Sequence, residues 1–76
     1  MFDRAKVAIM AEITFSNGNE QTALSLRDLE VAGKSLMWVV QTLGAYTQET
    51  SMFDDKDEAV DYYNHKHNHL AQVYKR

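Results

Sequence analysis

Residues 25–44 read Ser25-Leu26-Arg27-Asp28-Leu29-Glu30-Val31-Ala32-Gly33-Lys34-Ser35-Leu36-Met37-Trp38-Val39-Val40-Gln41-Thr42-Leu43-Gly44, and the conformation given to this stretch decides the fold. Ser25-Leu26-Arg27-Asp28 has the spacing of a capping box with Asp in place of the usual Glu, and Asp28 is itself an acceptable N-cap. At 100° per residue Leu29, Ala32, Gly33, Leu36, Val40 and Leu43 fall within one arc, and Gly44 follows as a natural C′ residue. The spacing therefore predicts a central helix over about 27–43. Gly33 costs about 1 kcal/mol relative to Ala inside a helix, so its place in the middle of the arc implies close approach by another backbone. On the opposite side of this helix Val31 and Trp38, seven residues apart, form a second apolar stripe. That stripe is covered either by the C-terminal segment or by another molecule, a second copy or a foreign protein.

Upstream, Val7, Ile9, Ala11, Ile13 and Phe15 alternate with Ala8, Met10, Glu12 and Thr14, the period of a half-buried strand. The run enters Ser16-Asn17-Gly18-Asn19, and Asn-Gly favours a type I′ turn because both central residues need positive φ. These signals predict an N-terminal β-hairpin over about 5–15 and 20–26 with Asn17-Gly18 as its loop. In that register Phe15 faces Glu20, Ile13 faces Thr22, Ala11 faces Leu24 and Ile9 faces Leu26. The aliphatic face of the hairpin would pack on the Leu29–Leu43 arc.

Downstream, residues 46–53 are rich in Thr and aromatics but weakly patterned, and read as a short third strand or a loop. A C-terminal helix over about 55–74 follows, with Ala59, Tyr62, Tyr63, Leu70, Val73 and Tyr74 on one face and the Lys66 stem among them. Its charges are sorted along the chain: Asp54, Asp55, Asp57, Glu58 and Asp61, against Lys56 alone, come first, and Lys66, Lys75 and Arg76 come last with no acid among them. That order complements the helix dipole. The acids at residues 54, 55, 57 and 58 also offer a docking strip for a basic partner. The fold class is thus α+β, in one small globular domain over residues 1–76.

Composition narrows the function. The 76 residues carry 8 Lys+Arg against 11 Asp+Glu, a net charge of −3, with 45% apolar residues and no Cys or Pro. The missing Cys removes disulfides, thiolate zinc sites, iron–sulfur clusters and thiol catalysis. An acidic balance argues against coating nucleic acid, which needs a basic surface. No apolar run is longer than that of Leu36–Val40, far short of the roughly 20 residues of a membrane helix, and no targeting segment is visible, so the expected setting is cytoplasmic. A chain of this size buries only about 60% of its unfolded surface, which makes a lone monomer marginal.

Catalytic templates are missing. Ser16, Ser25, Ser35 and Ser51 lie in no GxSxG elbow, there is no phosphate-cradling glycine loop, and no carboxylate pair lies in an evident pocket. Asn64-His65-Lys66-His67-Asn68-His69 is the most unusual segment. On a helix His65 and His69 align and His67 turns about 160° away. Asp61 joins the aligned pair, so Asp61, His65 and His69 offer a carboxylate and two imidazoles for Zn²⁺ or a similar divalent ion; the plainer reading is solvated histidines with an Asp61–His65 pair. The leading expectation is a non-enzymatic interaction module, a homodimer, that regulates or inhibits a partner protein through Val31 and Trp38 or the acidic helix start. By analogy of size and class alone it sits among the small phage and mobile-element proteins that block host enzymes. The alternative is a metal-binding protein built on Asp61, His65 and His69.

Overall fold

The computed structural model describes residues 5–44 and 47–74. Strands β1 (Ala5–Asn17), β2 (Glu20–Val31), β3 (Lys34–Gly44) and β4 (Gln48–Phe53) precede one helix, α1 (Lys56–Val73). The strands form a single antiparallel sheet in the order β1-β2-β3-β4, and α1 lies across one of its faces, giving an α+β fold.

The central helix expected over 27–43 is not found, since that segment is the end of β2, a turn and most of β3. Ala32 and Gly33 both have positive φ, 55° and 81°, and Val31 pairs with Lys34 across them. This is the sign pattern of a type I′ turn. Ala seldom adopts positive φ, so nothing at residue 32 advertises the turn as Asn would. Beyond it, Trp38-Val39-Val40-Gln41-Thr42 is β-branched and aromatic, and its period of two overrides the helical spacing of Leu29, Leu36, Val40 and Leu43. Ser25 is a buried strand residue rather than part of a capping box, and Asp28 accepts a hydrogen bond from Ser35 Oγ at 2.9 Å. No atom beyond its chain neighbours comes within 4 Å of the Cβ position at Gly33, so the close approach inferred there is replaced by an open turn.

The N-terminal hairpin also differs from its expected form. β1 and β2 pair antiparallel, but over 5–17 and 20–31 and as half of a larger sheet. Asn17 pairs with Glu20, which leaves Gly18 and Asn19 as the loop in place of Asn17-Gly18. Gly18 alone carries positive φ, 65°, and glycine in the first loop position is the requirement of a type II′ turn. Phe15 consequently faces Thr22, Ile13 faces Leu24 and Ala11 faces Leu26, two residues away from the expected register. A two-residue slip preserves the faces.

A bulge does change them. Ile9 pairs with Arg27 and Ala11 with Leu26, so Met10 is an extra residue in β1 and the pleat reverses there. Ala11, Ile13 and Phe15 face the helix, whereas Val7 and Ile9, expected on the same side, lie on the opposite face opposite Leu29 and Arg27. A second bulge, at Leu36, separates the Leu29–Met37 and Glu30–Ser35 pairs.

The core is formed by Leu24 and Leu26 of β2, Val40 of β3, and Ala59 and Leu70 of α1, edged by Ile13, Phe15, Trp38, Phe53, Tyr62 and Tyr74. Each fully buried aliphatic contributes about 1.5–3 kcal/mol. The helix that covers them starts at Asp55, whose carboxylate accepts the Glu58 N–H at 3.1 Å. Val73, expected on the packed face, is exposed. Tyr46 of the expected 46–53 strand and Lys75 and Arg76 lie outside the described residues, and within them the last turn of α1 carries no base.

Lengths decide how much sheet the helix covers. Eighteen helical residues span about 27 Å, whereas twelve or thirteen strand residues span about 40 Å. The start of α1 sits at Phe53, with Tyr62 and Phe53 ring centroids 5.3 Å apart. Its end sits at Phe15 and Thr22, where the Tyr74 hydroxyl lies 2.6 Å from Thr22 Oγ1. The β2–β3 turn and the first residues of β1 therefore extend past the helix as a three-stranded blade, and the long axis of the molecule reaches 46 Å.

Candidate interaction surface

Val31 and Trp38 do not form one stripe. Trp38 lies opposite Asp28 on one side and Phe53 on the other, facing the helix, and is half-buried at the margin of the core. Its indole Nε1 and the neighbouring Asp28 Oδ1 are both buried without a hydrogen-bond partner. Val31 belongs to the other face of the sheet and is exposed at the end of β2. The acids Asp54, Asp55, Asp57 and Glu58 are exposed around the start of α1, with Asp55 engaged as the cap.

The histidine segment divides as helical geometry requires. Asp61, His65 and His69 are all exposed, His69 at the mouth of a cavity between α1 and the sheet, while His67 packs edge-on against Phe15 with ring centroids 5.3 Å apart and lies 6.4 Å from Tyr63. Among the described residues no group of three or more His, Cys, Asp or Glu is placed to hold a metal ion. The row Asp61, His65, His69 is thus an exposed helix edge, and among the described residues no remote ligand joins it.

A cavity of about 230 Å³ opens between the C-terminal half of α1 and the sheet, lined among others by Thr22, Thr42, Thr47, Lys66, His69 and Tyr74. It is smaller than the roughly 300 Å³ at which ligand pockets begin. Its lysine is committed: Lys66 Nζ lies 2.8 Å from Glu49 Oε1. The Tyr63 hydroxyl, on the β1 side of the helix, has its pKa raised by burial and, secondarily, by the charge of Glu12. Among the described residues no nucleophile, base and oxyanion donor converge at either place.

The larger feature is the face of the sheet away from α1. Cross-strand partners arrange it in rows: Val7, Leu29 and Met37; then Ile9, Arg27, Val39 and Met52; then Glu12, Ser25, Gln41 and Thr50. The first two rows are apolar except for Arg27, and no element covers them among the described residues. Ile9 is 57% and Met52 65% exposed, although both sit in strands where they would be half-buried under a second layer. The third row is polar, with Gln41 Nε2 donating to Thr50 Oγ1 at 3.5 Å. Arg27 stands within the apolar rows with its Nε buried and unpartnered.

Charge is distributed as unevenly as hydrophobicity. Of the ten carboxylates among the described residues only Glu12 belongs to the uncovered face, and the other nine lie on the helix side or on α1 and its approach. Arg27 and, at the blade tip, Lys34 are the bases of the uncovered face. The signal for this surface was present as the odd-numbered alternation of Leu29, Val31, Met37 and Val39. A helical reading of 27–43 scatters these residues around an axis.

No helix among the described residues is long and apolar enough to cross a membrane. Comparison with family models, with curated proteins and with solved structures finds no match for this chain.

Proposed function

We propose that the protein is a non-enzymatic protein–protein interaction module, a small regulator or inhibitor that docks through the uncovered sheet face. The observation that carries this reading is the pair of contiguous rows, Val7-Leu29-Met37 and Ile9-Arg27-Val39-Met52, apolar but for Arg27, on a face that no element covers among the described residues. Exposed apolar patches above a few hundred Å² mark interaction surfaces, and a half-buried arginine among aliphatics, as Arg27 is, is a typical anchor. Val31 extends this surface at its distal end, while Trp38 acts from behind by holding β3 on the helix. The acidic helix side keeps that opposite face soluble and turned to water.

A photo-crosslinking phenylalanine at Met52, compared with one at Asp61 on the outer face of α1, tests the reading in cells that make the protein. Protein adducts are expected at residue 52 and not at residue 61. Adducts at 61 alone would reverse the assignment of the docking face.

A further inference from the structure

We propose that the uncovered face packs against the same face of a second copy of this chain, related by a twofold axis, with Arg27 of each copy against Glu12 of the other. This rests on the reading of that face as a docking surface and adds the identity of its occupant. Three observations select a second copy.

The first is core size. Among the described residues only five apolar side chains, Leu24, Leu26, Val40, Ala59 and Leu70, are buried, for a sheet whose strands run to 13 residues. A layer needed to complete so small a core must be present whenever the chain is folded, and another copy is the partner supplied with it in equal amount.

The second is area. The exposed parts of Val7, Ile9, Val31, Leu43 and Met52, with the half-buried Leu29, Met37 and Val39, amount to on the order of 500 Å² of apolar surface per copy. Two such faces together remove roughly 1,000 Å², the threshold for a specific interface.

The third is charge. Two helix sides, each bearing most of the chain's carboxylates, repel one another, whereas the uncovered face holds Glu12 against Arg27 and, at the blade tip, Lys34. Glu12 lies one strand across, opposite Ser25, which is two residues along β2 from Arg27, at a diagonal of about 7–8 Å, and the two form no ion pair within the chain. An isologous interface makes Glu12 and Arg27 self-complementary, each half-buried Arg27 guanidinium meeting the exposed Glu12 carboxylate of the other copy.

Light scattering on the full chain tests this. The expected mass is twice 8.7 kDa. Arg27→Glu and Glu12→Arg should each raise the dimer dissociation constant by more than about tenfold with the helical circular dichroism unchanged, and the double reversal should restore the dimer. Glu12 is exposed, so its variant stays informative if Arg27→Glu fails to fold. A monomeric mass, or a dimer indifferent to both single reversals, overturns the proposal. If a monomeric chain still crosslinks a different protein from residue 52, the docking reading stands without the second copy; if residue 52 captures nothing, both fall.

Discussion

Along β2, residues of one parity and residues of the other meet different worlds. Leu24 and Leu26 are shut beneath α1, whereas Arg27, Leu29 and Val31 lie on a face without a cover, and yet both sets are apolar over much of their length. An antiparallel sheet with one wet face normally alternates apolar with polar. Here that rule holds only in the half where Glu12, Ser25, Gln41 and Thr50 cross the sheet. Where the strands outrun the helix the polar residues change sides: Lys6, Glu30 and Ser35 form a row on the helix side, and Val7, Leu29 and Met37 form one on the other. The comparison teaches that the shortage of cover is a matter of faces: α1 seats on one side of the sheet, and no lengthening of it would bury Val7, Ile9, Leu29, Met37, Val39 or Met52 on the other.

The contrast can be broken in several places. The largest effect is expected at Leu24, where truncation to Ala leaves a cavity in the centre of the covered face. A loss of about 3 kcal/mol in denaturant unfolding is expected, against less than about 0.5 kcal/mol for Thr50→Ala on the other face. Equal losses would remove the distinction between the faces. Next comes Trp38→Ala, expected to lower stability by about 2 kcal/mol while leaving the mass in solution unchanged, because the indole is half-buried on the helix side. Dissociation without destabilisation would return Trp38 to an interface.

Smaller changes sharpen the picture at the margins. Ala32→Asn relieves the positive φ of 55° in the blade turn and should raise the unfolding free energy by about 0.5–1 kcal/mol. Tyr63, beside the β1 edge, reports on both faces. Burial and then the Glu12 charge raise its pKa, so the folded state holds the phenolic proton longer than the unfolded one does. Its contribution to stability is therefore complete below pH of about 10 and is lost as pH rises through the elevated folded value. Tyr63→Phe should remove that part of the alkaline loss, read by unfolding midpoints across pH 9–12, roughly the range over which a raised tyrosine titrates.

The ends of the chain were far more legible in the sequence than its middle, for physical reasons. The α1 pattern is long, periodic and capped by Asp55, so propensity, capping and packing agree. The alternation of β1 is equally plain, but a bulge cannot be read from Met10, since the extra residue leaves no mark in a run of apolar side chains. The middle failed because two strands of apolar residues joined by Ala32-Gly33 place Leu29, Leu36 and Leu43 seven apart by coincidence, and the turn lacks the Asn that would have separated them. The candidate surface was lost with it. Val31 was picked out by the sequence, but its companions Ile9, Val39 and Met52 come from three different strands and become neighbours only through the sheet register.

The hydrogen bond between Thr22 and Tyr74 spans 52 positions of the chain, while every strand pairing joins consecutive elements. Loop closure is therefore cheap for the meander and dear for the helix end. The expected order of folding is the two tight turns first, zipping the sheet from its ends, and seating of the last turn of α1 at the close. Tyr74→Phe should then speed unfolding and leave the folding rate nearly unaltered, and a slowed folding rate would place that contact in the nucleus instead. By this order the uncovered face exists before the helix has finished docking, so the sheet is open on both sides for part of each folding event. The concentration of chains during that interval, and not only at equilibrium, governs whether two copies meet face to face or aggregate along the unpaired edge of β1.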